Sequence, residues 1–401
     1  MAFPGTIAQM VDSSKPSADQ DEAAGLVGPP DAVPLELVQR ILVVKFRHLG
    51  DVLLLSAFLS VLKRAMPNAA IDVCVYSDTI SMLRNHPAVR KLFTVDKGWK
   101  KLGLGARLGR EWGLLRKLRG ERYDLVFNLT EGDRGAIAAL VSGATWRVGL
   151  DDPRDRRNPL RYFAFTHRFR TDHRRRHMVE QNLDALRRIG ISVRMNSEPL
   201  SFIVDERDRD SARDKLIAAG WQGGEYALVH PTSRWMFKCL PTDRVAELMD
   251  YLAAREMEIV LTAAPDEKER SMAADILCRT AAPVRDLSGA VTLGEMGALL
   301  ADARLFAGAD SAPMHMAAAL QVPSLAWFGP SFDVVWKPWQ VRQRLVSLDV
   351  SCRPCGFDGC GGGKRSECLA GIDTAALVDA ADELLQGLHN NETGFRISDG
   401  R

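Results

Sequence analysis

Short apolar runs that read as buried strands alternate with amphipathic stretches that read as helices along most of this 401-residue chain. Runs such as Ile41-Leu-Val-Val need cover on both faces, which a parallel sheet flanked by helices supplies. In the first half the expected strands are 41–46, 71–76, 92–95, 124–129 and 147–149, with helices at 52–64, 104–118 and 135–141. In the second half strands at 226–230, 258–262, 284–287, 304–308 and 324–328 alternate with helices near 242–255, 266–279, 293–301, 313–320 and 373–388. The pattern predicts the α/β class with two Rossmann-like domains, 36–195 and 225–390. The polar stretch 191–224, with a short helical segment near 209–219, contains the crossing between them, placed at 196–224. Residues 1–35 are rich in Ala, Asp, Ser, Gly and Pro and lack the basic start and apolar centre of a secretory signal, so they read as a disordered leader. Residues 391–401 read as a loose tail.

Three loops at expected strand ends carry chemistry. Lys45-Phe-Arg-His-Leu-Gly-Asp51 leaves the first strand and places one carboxylate where open α/β sheets bind ligands. Asp51 there is either a catalytic base or only the N-cap of the following helix. His48 beside it can tune that base or touch an acceptor, or can simply pack. In the second half, Tyr226 to His230 runs into Pro231-Thr232-Ser233 and on to Lys238. A later strand ends at Asp310-Ser311, with Pro313 in the first turn of the next helix and His315 one turn in. Free N–H groups and the positive end of the helix dipole make such a terminus fit for phosphate; the alternative is an ordinary capped helix with a partly buried His.

Composition narrows the function classes. A hydrophobic fraction of 46% furnishes two substantial cores, and no run reaches the roughly 18 apolar residues of a membrane span. The expected location is therefore the cytoplasm. Net charge is only +2, but Arg154, Arg156, Arg157, Arg161, Arg168, Arg170, Arg174, Arg175 and Arg176 crowd one stretch, interleaved with Tyr162, Phe163, Phe165 and Phe169. That surface suits phosphates, carboxylates or an anionic membrane face, or else is a solvated loop partly neutralised by its own aspartates. No nucleic-acid-binding motif accompanies it, so nucleic acid is not an expected partner. Cys74, Cys239 and Cys278 are scattered. Cys352, Cys355, Cys360 and Cys368 cluster: a structural zinc site is possible, but packing or a redox-sensitive thiol group is favoured because the later spacing matches no standard finger. Two glycine-rich segments are decoys. Gly103 to Gly109 has the wrong spacing for a dinucleotide loop and follows the basic 97–101 segment instead of a strand, and Gly361 to Lys364 lacks the first glycine and the closing hydroxyl of a P-loop.

Four ordered stretches, Lys45-Phe-Arg-His-Leu-Gly-Asp-Val, His230-Pro-Thr-Ser-Arg-Trp-Met-Phe-Lys-Cys, Gly308-Ala-Asp-Ser-Ala-Pro-Met-His and Cys352-Arg-Pro-Cys-Gly-Phe-Asp-Gly-Cys-Gly-Gly, resemble glycosyltransferase family 9. These are the ADP-heptose-dependent lipopolysaccharide heptosyltransferases, and the resemblance is closest to the type III core branch. It implies the GT-B architecture, two Rossmann-like domains facing across a cleft. It implies transfer of heptose from ADP-L-glycero-β-D-manno-heptose to a heptose of the lipopolysaccharide inner core, on the cytoplasmic side of the inner membrane with peripheral attachment. Asp51 is then the general base, and Thr232, Ser233, Lys238, Asp310, Ser311 and His315 line the donor pocket, with Lys238 on the departing diphosphate. Direct attack inverts the anomeric centre, and the basic cradle replaces a divalent ion, so neither a catalytic metal nor a cofactor is expected. His48, Arg174, Arg175 and Arg176 fall on the acceptor side. Other members place a carboxylate after the strand ending near Thr262 to hold the donor ribose, and within Ala263-Ala-Pro-Asp-Glu267 the best match is Asp266. The alternatives are a GT-B transferase with another nucleotide sugar or core acceptor, and a non-catalytic glycolipid-binding protein of the same fold.

Overall fold

The computed structural model describes residues 29–153 and 158–394. The expected leader up to residue 28, the end of the expected tail from 395, and Arg154, Arg156 and Arg157 lie outside the described residues. The chain divides at Ile203/Val204 into two compact units, here called first and second.

In the first unit, strands β1 (Arg40–Lys45), β2 (Ala70–Tyr76), β3 (Val89–Val95), β4 (Leu125–Asn128), β5 (Trp146–Leu150) and β6 (His167–Phe169) form one sheet in the order β3-β2-β1-β4-β5-β6. In the second, β7 (Tyr226–His230), β8 (Glu258–Leu261), β9 (Val284–Asp286), β10 (Leu305–Ala309), β11 (Ser324–Trp327) and β12 (Gln343–Val346) take the order β12-β11-β10-β7-β8-β9. All pairings are parallel. Counted from its own first strand, each sheet has the Rossmann order 3-2-1-4-5-6. The order reverses between β1 and β4 and again between β7 and β10. Those two points are where such sheets open a crevice for ligands.

The central strands are apolar because helices cover both faces. Every residue of β7, β10 and β11 is buried, as is β1 after Arg40. Each unit closes its own apolar cluster, one around Leu42, Val44, Val126 and Ala139, the other around Val229, Leu248, Ile259 and Trp327.

Several elements depart from expectation. The edge strands β6 and β12 carry partly buried Arg168, Gln343 and Arg344, a composition that blunts sheet edges and hides the strand pattern. The expected 52–64 helix is two, Leu49–Leu53 and Leu55–Ala65. Helix Met178–Arg188 buries Glu180, Gln181, Asn182 and Asp184 beside Val179, Leu183, Ala185 and Leu186, so polar residues interrupt its apolar face. Helix Glu206–Ala218, within the expected crossing, belongs to the second unit: Ser211 and Lys215 donate to Glu295 at 2.6 and 2.7 Å on helix Leu293–Ala301. The closing helix continues as Thr374–Gly394, past residue 390 where a loose tail was expected.

Candidate active site

At the first unit's switch point the loops after β1 and β4 are tied together. Thr130 Oγ1 donates to the Phe46 carbonyl at 3.3 Å, and Asn128 Nδ2 to the Thr130 carbonyl at 3.0 Å. Gly135 lets the next helix close in, since a Cβ there would sit 2.2 Å from Asn128 Oδ1. Asp51 is not the N-cap. His48, exposed, takes that place, and Asp51 is the third residue of helix Leu49–Leu53, its Oδ2 accepting from the His48 N–H at 3.3 Å to close a capping box. The Asp51 residue is only 7% exposed. Its Oδ1 is buried without a hydrogen-bond partner among the described residues, 3.6 Å from Arg47 Nε. A carboxylate anchored through one oxygen, with the other making no hydrogen bond, keeps a lone pair that can take a proton from a hydroxyl.

Lys45, part of the motif but assigned no role from sequence, ends β1 buried and donates to Asn182 Oδ1 at 3.0 Å. Burial pushes its ammonium down to about 8, against the pull of the Asp51 carboxylate. The readable signal was the charge itself, closing an otherwise apolar strand.

Of the described arginines in the Arg-rich stretch, Arg161, Arg168 and Arg176 are partly buried and Arg170, Arg174 and Arg175 are exposed. Arg176, expected on the acceptor side, pairs with Asp184 at 2.6 Å and Glu180 at 3.3 Å, and Arg187 reaches the same two carboxylates. Its guanidinium holds helix Met178–Arg188 in place. Arg161 pairs with Asp133, Arg170 with Asp151, and Arg168 stacks 3.8 Å over the Tyr162 ring. Arg174 and Arg175 are exposed, on a turn whose N–H groups donate to Asp172 at 3.1 Å.

The second switch point gathers the other expected residues. Beyond β7, Thr232 and Ser233 are buried; Thr232 Oγ1 donates to Glu269 Oε2 at 2.7 Å, and Ser233 Oγ accepts from the Trp235 N–H at 3.3 Å. Lys238 Nζ donates to Asp310 Oδ2 at 2.6 Å and lies 5.1 Å over the Trp235 ring. Asp310 thus holds the ammonium beside the start of helix Ala312–Ala319. Ser311, the N-cap, keeps its buried hydroxyl without a hydrogen-bond partner among the described residues. His315 is buried, its ring 6.4 Å from that of Trp336. A lysine, an open hydroxyl and a helix N-terminus on one loop pair form a cradle for an anion.

Asp266, expected to hold the donor ribose, stands at a helix start. It is exposed and caps helix Glu267–Leu277 by accepting from the Lys268 N–H at 3.0 Å. The buried carboxylate on this side is Glu269, which also accepts from the Ala264 N–H at 3.4 Å. Its sequence signal was faint: a second acid one turn into a polar helix.

His230, at the end of β7, is buried, with Nδ1 3.0 Å from Thr262 Oγ1, and burial lowers its pKa from 6.5 to about 4. Between those values the unfolded chain binds more protons, so stability complete above pH 6.5 is lost as pH falls toward 4. Across that window the wild type should lose about 3 kcal/mol more than His230→Gln in urea titrations. Equal losses would remove His230 as the cause.

The model of glycosyltransferase family 9 (heptosyltransferase) matches residues 112–363. Lipopolysaccharide heptosyltransferase 3 of Escherichia coli is 35% identical over 296 residues, covering 73% of this chain and 84% of that protein. The chain belongs to glycosyltransferase family 9. Among solved structures, the family 9 glycosyl transferase from Veillonella parvula superposes with a TM-score of 0.75 at 22% identity, covering 89% of this chain and 99% of the other. Escherichia coli heptosyltransferase WaaC with ADP gives 0.65 at 20% identity, covering 86% and 100%. This family 9 glycosyltransferase therefore has the GT-B fold, with two six-stranded parallel sheets.

The cysteines of this family 9 enzyme are free thiols. Cys368 is buried, which together with the neighbouring Cys360 raises its pKa to about 11, while Cys352 and Cys360 are exposed. Among the described residues no three His, Cys, Asp or Glu side chains converge as a metal-ligand set.

Proposed function

We propose that this chain transfers heptose from ADP-heptose to a heptose of the lipopolysaccharide inner core, inverting the anomeric carbon. The observation that carries this reading is the chemistry of the two switch points: a buried carboxylate with one oxygen outside any hydrogen bond at the first, a lysine held beside a helix N-terminus at the second. Glycosyl transfer needs both kinds of group. The acceptor hydroxyl loses its proton to Asp51 as its oxygen attacks the anomeric carbon, and the carbon–oxygen bond to the diphosphate breaks. The leaving ADP gathers negative charge, which Lys238, the Ser311 hydroxyl and the N–H groups of helix Ala312–Ala319 stabilise. One displacement inverts the centre and needs no second nucleophile. Asp310 positions the ammonium, and Thr232, anchored by Glu269, walls the cradle. The family and the relative named for lipopolysaccharide heptosyl transfer support the same donor and acceptor.

The test is to incubate purified protein with several nucleotide sugars and truncated core lipopolysaccharide and to weigh the products. A heptose increment only with ADP-heptose, in the inverted anomeric configuration by NMR, is the expected result. An increment with another sugar would favour a transferase of different specificity, and binding without product would favour a glycolipid-binding protein.

On the acceptor side, the exposed Arg174 and Arg175 are the residues to reverse, because Arg176 holds a helix. Arg174→Glu with Arg175→Glu should raise the acceptor KM several-fold, an effect that added salt mimics, and leave the donor KM unchanged. An unmoved acceptor KM would make them solvated surface.

A further inference from the structure

Helix Leu104–Gly120 outruns the core that it packs on. Its second half puts Leu114 and Leu118 into the first unit's apolar cluster, with Leu115 packed against it. Among the described residues, none of that cluster lies beneath its first half. Every residue from 101 to 110 is exposed, and a Cβ added at Gly103, Gly105, Gly109 or Gly113 would meet no atom within 4 Å. Yet the apolar face continues: Leu104, Leu108 and Trp112, one turn apart, are 72%, 58% and 60% exposed, and Leu102 just ahead adds another 42%. At about 100° per residue the three positions span an arc of about 80° that includes the position of Leu115, over a length of about 12 Å. Single exposed leucines need no explanation, but a continuous apolar stripe does.

Basic residues rim the stripe. Lys100 and Lys101 precede the helix, Arg107 and Arg110 fall on one side of the arc and Arg116 on the other. The helix has one acid, Glu111, already held by Arg134. A second copy of this face would set the same cations against one another, whereas an anionic surface complements them. Gly105, Gly109 and Gly113 weaken the helix in water, so it gains from a surface that orders it. Among the described residues no helix is long and apolar enough to cross a membrane.

We infer that this half-helix is a docking surface for an anionic phospholipid bilayer. Leu104, Leu108 and Trp112 enter the headgroup boundary, and Lys100, Lys101, Arg107 and Arg110 lie over the lipid phosphates. The docking brings the chain to a lipid-linked acceptor and rests on the proposed reaction for that purpose alone.

The experiment sediments full-length protein with vesicles of phosphatidylethanolamine and phosphatidylglycerol, and with vesicles of phosphatidylcholine. Binding to the anionic vesicles, weakened by salt, is expected. Leu104→Ser combined with Leu108→Ser and Trp112→Ser should lower the bound fraction roughly tenfold, and Lys100→Glu with Lys101→Glu and Arg107→Glu should do the same for anionic vesicles. Heptosyl transfer by the serine variant to a delipidated, water-soluble core oligosaccharide should stay at the wild-type rate, with circular dichroism reporting its fold. If the triple variant fails to fold, Trp112→Ala alone should still lose about threefold in binding. Equal sedimentation of wild type and folded variants overturns the inference, as does a wild type that ignores anionic vesicles or a change of oligomeric state as the variants' only defect. Vesicle binding that responds as expected, with no heptosyl transfer even by the wild type, would sink the proposed reaction and leave the docking surface standing.

Discussion

Asp51→Asn should reduce turnover by roughly a hundredfold or more, the range expected for loss of a general base, while the protein stays folded and still binds ADP. The local geometry separates these effects. An amide oxygen can still accept from the His48 N–H, so the capping box survives. What disappears is the basic oxygen that makes no hydrogen bond among the described residues and only a 3.6 Å ion pair with Arg47. Asp72 in the same unit shows how a purely structural buried carboxylate looks: Arg90 grips it at 2.9 and 2.5 Å, and the Tyr123 hydroxyl donates at 2.8 Å. Near-normal turnover in the Asn variant would remove Asp51 from the chemistry.

Lys238→Ala should weaken donor binding and slow the chemical step together, the latter by roughly a hundredfold, because the lost charge faces the diphosphate most strongly as it departs. The substitution also strands Asp310, buried and deprived of its 2.6 Å partner, so some loss of stability accompanies the kinetic defect. Lys238→Arg keeps the charge and should recover stability before it recovers rate, since the planar guanidinium cannot reproduce a point charge over the Trp235 ring. Unchanged donor affinity and rate in the Ala variant would place the lysine outside the site. In the same assays EDTA should leave activity largely intact, the cradle supplying the positive charge itself. Strict dependence on magnesium or manganese would contradict that mechanism.

Much of the fold was legible because the central strands are apolar on both faces: Tyr226–His230 was readable to the residue. Of the four edge strands, β3 and β9 were expected, whereas β6 and β12 were not, because they are short and carry Arg or Gln that makes them look like loops. Helix Met178–Arg188 stayed hidden for a different reason: its apolar residues Val179, Leu183 and Leu186 are interleaved with buried Glu180 and Asp184, whose ion pairs with Arg176 and Arg187 lie within the same segment. Among the candidate site residues, Asp51, Lys238, Asp310 and Ser311 could be placed beyond strand ends because glycine and proline punctuate the sequence there. Arg176 and Asp266 could not be assigned, since a charge in sequence does not disclose whether a neighbour or a helix end already engages it. Glu269 was missed because its partner, Thr232, lies 37 residues away along the chain.

Each sheet has its own apolar cluster, and each reverses its strand order at the loops proposed to hold reactive groups. The scaffold and its specificity are therefore separable over evolutionary time. Loops after β1 and β4 can change without disturbing the packing beneath β7 and β10, and the reverse holds as well. On the proposed assignment of acceptor and donor, a lineage with this architecture can exchange one sugar acceptor for another while its grip on the activated donor stays fixed.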